Sequence, residues 1–280
     1  MTFRHFSRLW IHTHVLTAFY AACMTWYAVD LHASNNTALI FFIFWSTLCS
    51  YNFHKWINLI FEKVHLRDAW DHQHRNVFLI LTLFSMCMIA INIEIIIQHF
   101  YLFLIAVFST LLYTLPNLPF KPFKWLRNIA TAKTLFLAAV WTYVTVFIPF
   151  DIHIKYWASS DFIFLIQRLS FIYAICILFD ERDKGEDIIK GIRSISTMTN
   201  PHWTAFMYYL STSISLVCCF LLYPKNQLMA IPTVIPSLIA LFLFNRYKGK
   251  STIYYTVFLD GLMALPAGIY FISQIGLFSH

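Results

Sequence analysis

Long apolar runs alternate with short polar segments along the whole chain. Runs fall near 9–30, 37–54, 76–97, 99–115, 131–150, 161–179, 203–223, 227–244 and 252–276. A helix rising 1.5 Å per residue needs roughly 20 apolar residues to cross the hydrocarbon core of a bilayer. The pattern therefore predicts an all-α, polytopic membrane protein with nine transmembrane helices. The runs take up most of the chain, so residues 1–280 read as a single transmembrane domain with no separate soluble part.

The polar segments are sorted by charge. Lys and Arg lie before the first run and after the second, fourth, sixth and eighth. Of the 20 basic residues, only Lys155, Lys225 and Arg168 break the rule. Basic loops are retained on the cytoplasmic side of a membrane. The sorting predicts a cytoplasmic N-terminus and places the chain in a plasma membrane, taken to be the bacterial inner membrane.

Composition agrees: 59% of residues are hydrophobic and only 12% charged, against about 25% charged in soluble domains. The net charge of +7 sits at membrane edges, where orientation and contacts with lipid explain it, so nucleic acid is excluded as a partner. All six cysteines fall within apolar runs and no Cys-x-x-Cys occurs, which points to buried thiols rather than disulfides. Trp and Tyr gather at run ends, as in an interfacial aromatic belt.

Polar residues are concentrated on the basic side. The opposite loops, near 30–36, 98–99, 151–160 and 224–227, are short. A transporter needs polar groups deep in the membrane and access from both faces, so one-sided chemistry argues against that class. The ionisable residues inside runs are Glu94, Arg168 and Asp260. Glu94 and Arg168 read as a structural pair. Asp260 reads either as facing a cavity or as a helix–helix hydrogen-bonding group.

The most specific segment follows the sixth run. Asp180, Asp183 and Asp187 are spaced i, i+3, i+7, which puts three carboxylates on one face of a helix. Like charges stacked this way repel unless a cation lies among them. Mg²⁺ takes a few carboxylates together with waters and substrate phosphate oxygens. Lys190 and Arg193 lie downstream as candidate partners of a diphosphate. The competing reading is a solvated segment of i,i+4 ion pairs.

With nine runs and this Asp-x-x-Asp-x-x-x-Asp cluster, the chain resembles the UbiA superfamily of intramembrane prenyltransferases. Gly191-Ile192-Arg193-Ser194 is similar to the Gly-x-Lys/Arg-Ser/Thr that follows that family's second acidic motif. Tyr113, then Pro116 to Lys121, Lys124 and Arg127, resembles its Tyr-Pro-Lys-rich stretch after the fourth span. The resemblance implies a helical bundle around a central cavity. It further implies Mg²⁺ on Asp180, Asp183 and Asp187, a diphosphate held by Lys121, Lys124 and Arg193, and the isoprenoid tail in the membrane. Its substrates would be a prenyl diphosphate and an acceptor.

The family's first motif, Asn-Asp-x-x-Asp-x-x-x-Asp, is altered. Asn52 matches and would orient the diphosphate, but Phe53, Trp56 and Ile60 stand where the aspartates belong. Three arrangements would answer the loss. Lys55 and His54 would touch the diphosphate directly, or Asp68 and Asp71 would replace the lost carboxylates. In the third, the chain binds a prenyl lipid without ionising it, as a scaffold. A cyclase of the same superfamily, in which the substrate's own chain quenches the cation, is a further alternative. His72-Gln73-His74 is too common a pattern in a chain with 12 histidines to argue for a transition-metal site.

Overall fold

The computed structural model describes residues 10, 12–61, 69–114, 133–190, 194–246, 250 and 253–277. Among the described residues the protein is all-helical, with 87% helix and no strand. Such a backbone satisfies its own polar groups, as a bilayer interior requires.

The helices are α1 (Val15–Asp30), α2 (Thr37–Phe61), α3 (Ala69–Gln73), α4 (Arg75–Ile91), α5 (Ile93–Gln98), α6 (Phe100–Thr114), α7 (Lys133–Thr142), α8 (Ile148–His153), α9 (Ser159–Lys190), α10 (Ile195–Met198), α11 (Pro201–Leu222), α12 (Gln227–Leu241) and α13 (Asp260–Leu277). Lys133–His153, Ser159–Ile189, Pro201–Leu222 and Tyr254–Ile275 are long and apolar enough to cross a membrane. Arg75–Ile91, Phe100–Leu112 and Gln227–Leu241 are shorter apolar helices.

Two units divide the chain. One comprises Met1–Ala22 and Thr37–Arg127; the other comprises Cys23–Asn36 and Asn128–His280. In the first unit, α2 packs along α4. Phe42 meets Phe103 edge-on, with ring centroids 4.7 Å apart. The apolar run expected over 76–97 divides at Asn92, which caps the end of α4 before α5 begins.

In the second unit α9 packs on α7 and α11, and α12 packs on α11 and α13. Its core gathers Tyr27, Val146, Phe150, Phe164, Leu222 and Met229. Pro232 and Pro149 have identifiable compensations. Pro232 lacks the N–H that the Leu228 carbonyl would accept, and the Tyr27 hydroxyl donates to that carbonyl at 2.8 Å instead. Before Pro149 the chain widens into a π turn over Tyr143–Phe147.

The distribution of polarity is that of a lipid-facing bundle. Phe220, Phe242, Phe271 and Ile272 are exposed, whereas Gln167, Arg168, Ser215, Thr233 and Ser237 are buried. Gln167 donates to Ser215 at 3.0 Å and to Ser237 at 3.2 Å, the small-residue, hydrogen-bonded packing that holds helices together without a hydrophobic drive. Arg168 donates to the Met263 carbonyl at 2.6 Å and lies over the Phe171 ring at 5.5 Å. Glu94, by contrast, is exposed.

Candidate functional site

Each unit carries its own polar cluster. In the second unit, α9 continues 32 residues as one helix, so Asp180, Asp183 and Asp187 do lie on helical backbone. Their spacing confines them to an arc of about 60°. Asp187 is 6% exposed, while Asp180 and Asp183 are half-buried. The trio is therefore seated against protein and not spread into open water.

The surroundings of Asp180 and Asp183 are specific. The Thr134 hydroxyl donates to Asp180, and the Lys133 ammonium acts on the same carboxylate. Arg182 grips Asp183 with two parallel bonds, Nε to Oδ1 and Nη2 to Oδ2, both 2.7 Å. The guanidinium is fixed in turn over the rings of Phe179 and Tyr255, each at 4.9 Å. Lys184 approaches Glu181 at 3.8 Å, an i,i+3 ion pair rather than the i,i+4 pairing of the competing reading.

Among the described residues, no three His, Cys, Asp or Glu side chains converge on one point as a closed metal site would need. Mg²⁺ does not require such convergence, because it keeps several waters and binds through one or two carboxylates plus phosphate oxygens. The hard oxygen donors of Asp180 and Asp187 fit that chemistry. Asp183 is committed to Arg182 and would have to exchange that partner.

Thr134→Val should reveal how far Asp180 depends on its seat. Loss of a hydrogen bond to a charged group costs about 1.5–3 kcal/mol, so thermal unfolding in detergent should register a loss in that range. An unchanged transition would show that the hydroxyl contributes nothing.

The first unit holds the second cluster, where the end of α2 meets the His12–His14 turn and α3. Asn52 is fully buried. Its amide donates to the Thr13 carbonyl at 2.9 Å and the Leu48 carbonyl at 2.8 Å. It thereby clamps the turn in which His14 adopts a left-handed φ of 57°. The Asp71 carboxylate is almost completely buried and uses both oxygens: Oδ1 accepts from His12 Nδ1 at 2.8 Å, and Oδ2 pairs with Lys55 Nζ at 2.7 Å. Burial presses the Asp71 carboxyl upward, but the His12 hydrogen bond and the Lys55 ammonium outweigh it and hold its pKa below the usual 3.8. His54 accepts from the Asn58 amide at 3.2 Å.

Asn52, His54 and Lys55 thus belong to one unit, and Asp180, Asp183 and Asp187 to the other. Lys121, Lys124, Arg193 and Asp68 lie outside the described residues, as do the proline-rich stretch 116–127 and Gly191. Sequence reasoning missed His12, His14 and Thr134. His12 and His14 lie in a run taken as the start of the first span. The available signal was the density of His, Lys and Asp at its edge and in the segment after the second run. A shallow apolar groove of about 260 Å³, lined by Ala22, Thr37, Ile40, Phe41 and Phe44, lies at the opposite end of α2 from Lys55.

No family model, curated protein or solved structure matches this chain.

Proposed function

We propose that the protein is an integral-membrane prenyltransferase that moves an isoprenoid from its diphosphate to an acceptor. One observation carries this reading: three carboxylates share one face at the C-terminal end of a helix long and apolar enough to cross a membrane, with Asp180 and Asp187 packed against protein. Bound there, Mg²⁺ would neutralise the charge that builds on a departing diphosphate. In this reading Arg193, which follows the acidic face in the sequence, holds the diphosphate, as the family resemblance implies. Purified protein given radiolabelled prenyl diphosphates and candidate acceptors should release pyrophosphate in a Mg²⁺-dependent way. No release, with an active transferase run alongside, would refute the assignment.

A second reading has its own support. Lys55 is neutralised by Asp71 and Asp183 by Arg182, as expected of a non-catalytic relative that binds prenyl lipid or scaffolds a partner. In that case Asp183→Asn leaves the cellular role intact.

We assign nine spans and a cytoplasmic N-terminus on the sorting of basic loops. A cysteine-free background makes the orientation testable. With Lys225→Cys, a membrane-impermeant maleimide should label intact cells. With Lys184→Cys, it should label only after permeabilisation. The opposite pattern would invert the topology.

A further inference from the structure

The core of the second unit encloses a cation. Arg168 lies within the span Ser159–Ile189 and is 2% exposed. Its guanidinium carries a charge at any physiological pH. Nη2 donates to the Met263 carbonyl at 2.6 Å. Nη1 is equally buried and has no hydrogen-bond partner among the described residues. The groups that act electrostatically on Arg168 are Tyr27 and Cys219, and neither is a carboxylate.

Polar groups from three helices gather beside it. Gln167, next to Arg168 on α9, is fully buried. Its Nε2 donates to Ser215 of α11 and Ser237 of α12, whose hydroxyls lie 2.9 Å apart. Its Oε1 has no hydrogen-bond partner among the described residues. Cys219 Sγ lies 3.4 Å from the Thr233 hydroxyl and 4.0 Å from that of Ser237. Cys219 also interacts with both Gln167 and Arg168, so the hydroxyl network and the guanidinium share one neighbourhood. Because a hydroxyl both donates and accepts, the Gln167 amide can turn over. Oε1 then accepts from Ser215, and Nε2 becomes a free donor.

A buried charge is costly unless it is paired and hydrogen-bonded, and an unsatisfied buried donor in a native protein calls for a partner. A water would accept from Nη1 and leave the charge uncompensated. An anion answers both needs. We propose that the polar core of the second unit binds one small monovalent anion of the chloride class, held by Arg168 Nη1 and the Gln167 amide between α9, α11 and α12. The donors set the class. A single guanidinium balances a single charge, so phosphate and other polyanions do not fit. Ser215, Thr233 and Ser237 are fully buried, which suits a monatomic ion better than a carboxylate with its carbon skeleton. Ionisable residues inside a membrane commonly mark such ion sites. Arg168 lies about 18 Å along α9 from Asp180, so this site is distinct from the acidic face and does not require the transferase reading.

The test uses the full-length protein in detergent, exchanged into gluconate and titrated with radiolabelled chloride at constant ionic strength. Binding should saturate with a stoichiometry near unity, and bromide should compete. An ion that binds only the folded state stabilises it by mass action. Above the dissociation constant, each tenfold rise in chloride should therefore raise the folded-to-unfolded ratio about tenfold in thermal melts. Sulfate at the same ionic strength should give no such rise. Arg168→Gln should weaken chloride binding by roughly tenfold to a hundredfold, the worth of one charge-assisted bond, and its melting temperature should cease to follow chloride. Gln167→Met keeps the volume, removes the amide and leaves Arg168 in place. It should weaken binding about tenfold and carries the test if Arg168→Gln does not fold. Asp180→Asn should bind chloride as wild type does. Absence of saturable chloride binding to the folded wild-type protein overturns the proposal whatever the variants do. Wild-type affinity in the folded variants places the ion elsewhere and overturns it as well. So does an equal rise in sulfate, which marks general screening by salt.

Discussion

Asp180→Asn is expected to cut pyrophosphate release from a prenyl diphosphate by on the order of 10²–10³-fold, the cost of removing one group that stabilises developing charge. The substitution keeps size and shape, and the amide can still accept from Thr134, so the packing of α9 on α7 should survive. Only the negative charge is lost. Asp183→Asn should have the smaller effect. Arg182 already neutralises that carboxylate through two 2.7 Å bonds, so its charge is not available to a hard cation without exchange. The ordering of the two effects is therefore a sharper expectation than either alone. Single-turnover assays at saturating Mg²⁺, with thermal unfolding as the control for folding, would measure both. Equal turnover in wild type and Asp180→Asn would remove the acidic face from the chemistry and leave the binding or scaffold reading.

The helical, membrane-type character was legible in the sequence because it depends only on hydropathy over a window of about 20 residues. Thr37, Phe100, Pro201 and Gln227 begin helices within two residues of the expected run starts. The expectation did less well where helix formation outlasts the apolar run. α2 continues to Phe61 and α9 to Lys190, because Asn52, Lys55, Glu181 and Lys184 are adequate helix formers once the helix is nucleated. That continuation places the aspartates on a helix where a loop was also compatible with the sequence. The periodicity of Asp180, Asp183 and Asp187 was readable, but the Arg182 grip on Asp183 was not, since i,i+1 neighbours do not face each other along a helix side. The joining of His12 to Asp71 spans 59 residues and follows from how the turn before α1, the end of α2 and α3 pack. No local pattern encodes it.

Lys55→Met should destabilise the protein by about 2–4 kcal/mol near neutral pH, somewhat below the full cost of breaking a buried ion pair because His12 still bonds Asp71. The loss arises from the carboxylate left behind. Asp71 is nearly inaccessible to water, and its charge was compensated by the ammonium at 2.7 Å. The double variant Lys55→Met, Asp71→Leu should recover most of the stability, since it removes the buried charge together with its partner. The pH dependence fixes the cause. Because the native pKa of Asp71 is held below 3.8, the pair's contribution is complete above that value and is lost as pH falls through the lower native one. The gap between wild type and Lys55→Met should accordingly be widest above about pH 4 and close in stronger acid, where Asp71 is protonated in both proteins. Denaturation curves in detergent between about pH 3 and about pH 7 would trace it. A gap that stays constant through this range would mean that Lys55 stabilises through the packing of its aliphatic stem. Asp71 would then not be the anchor that presents Lys55 and His12 as a pair.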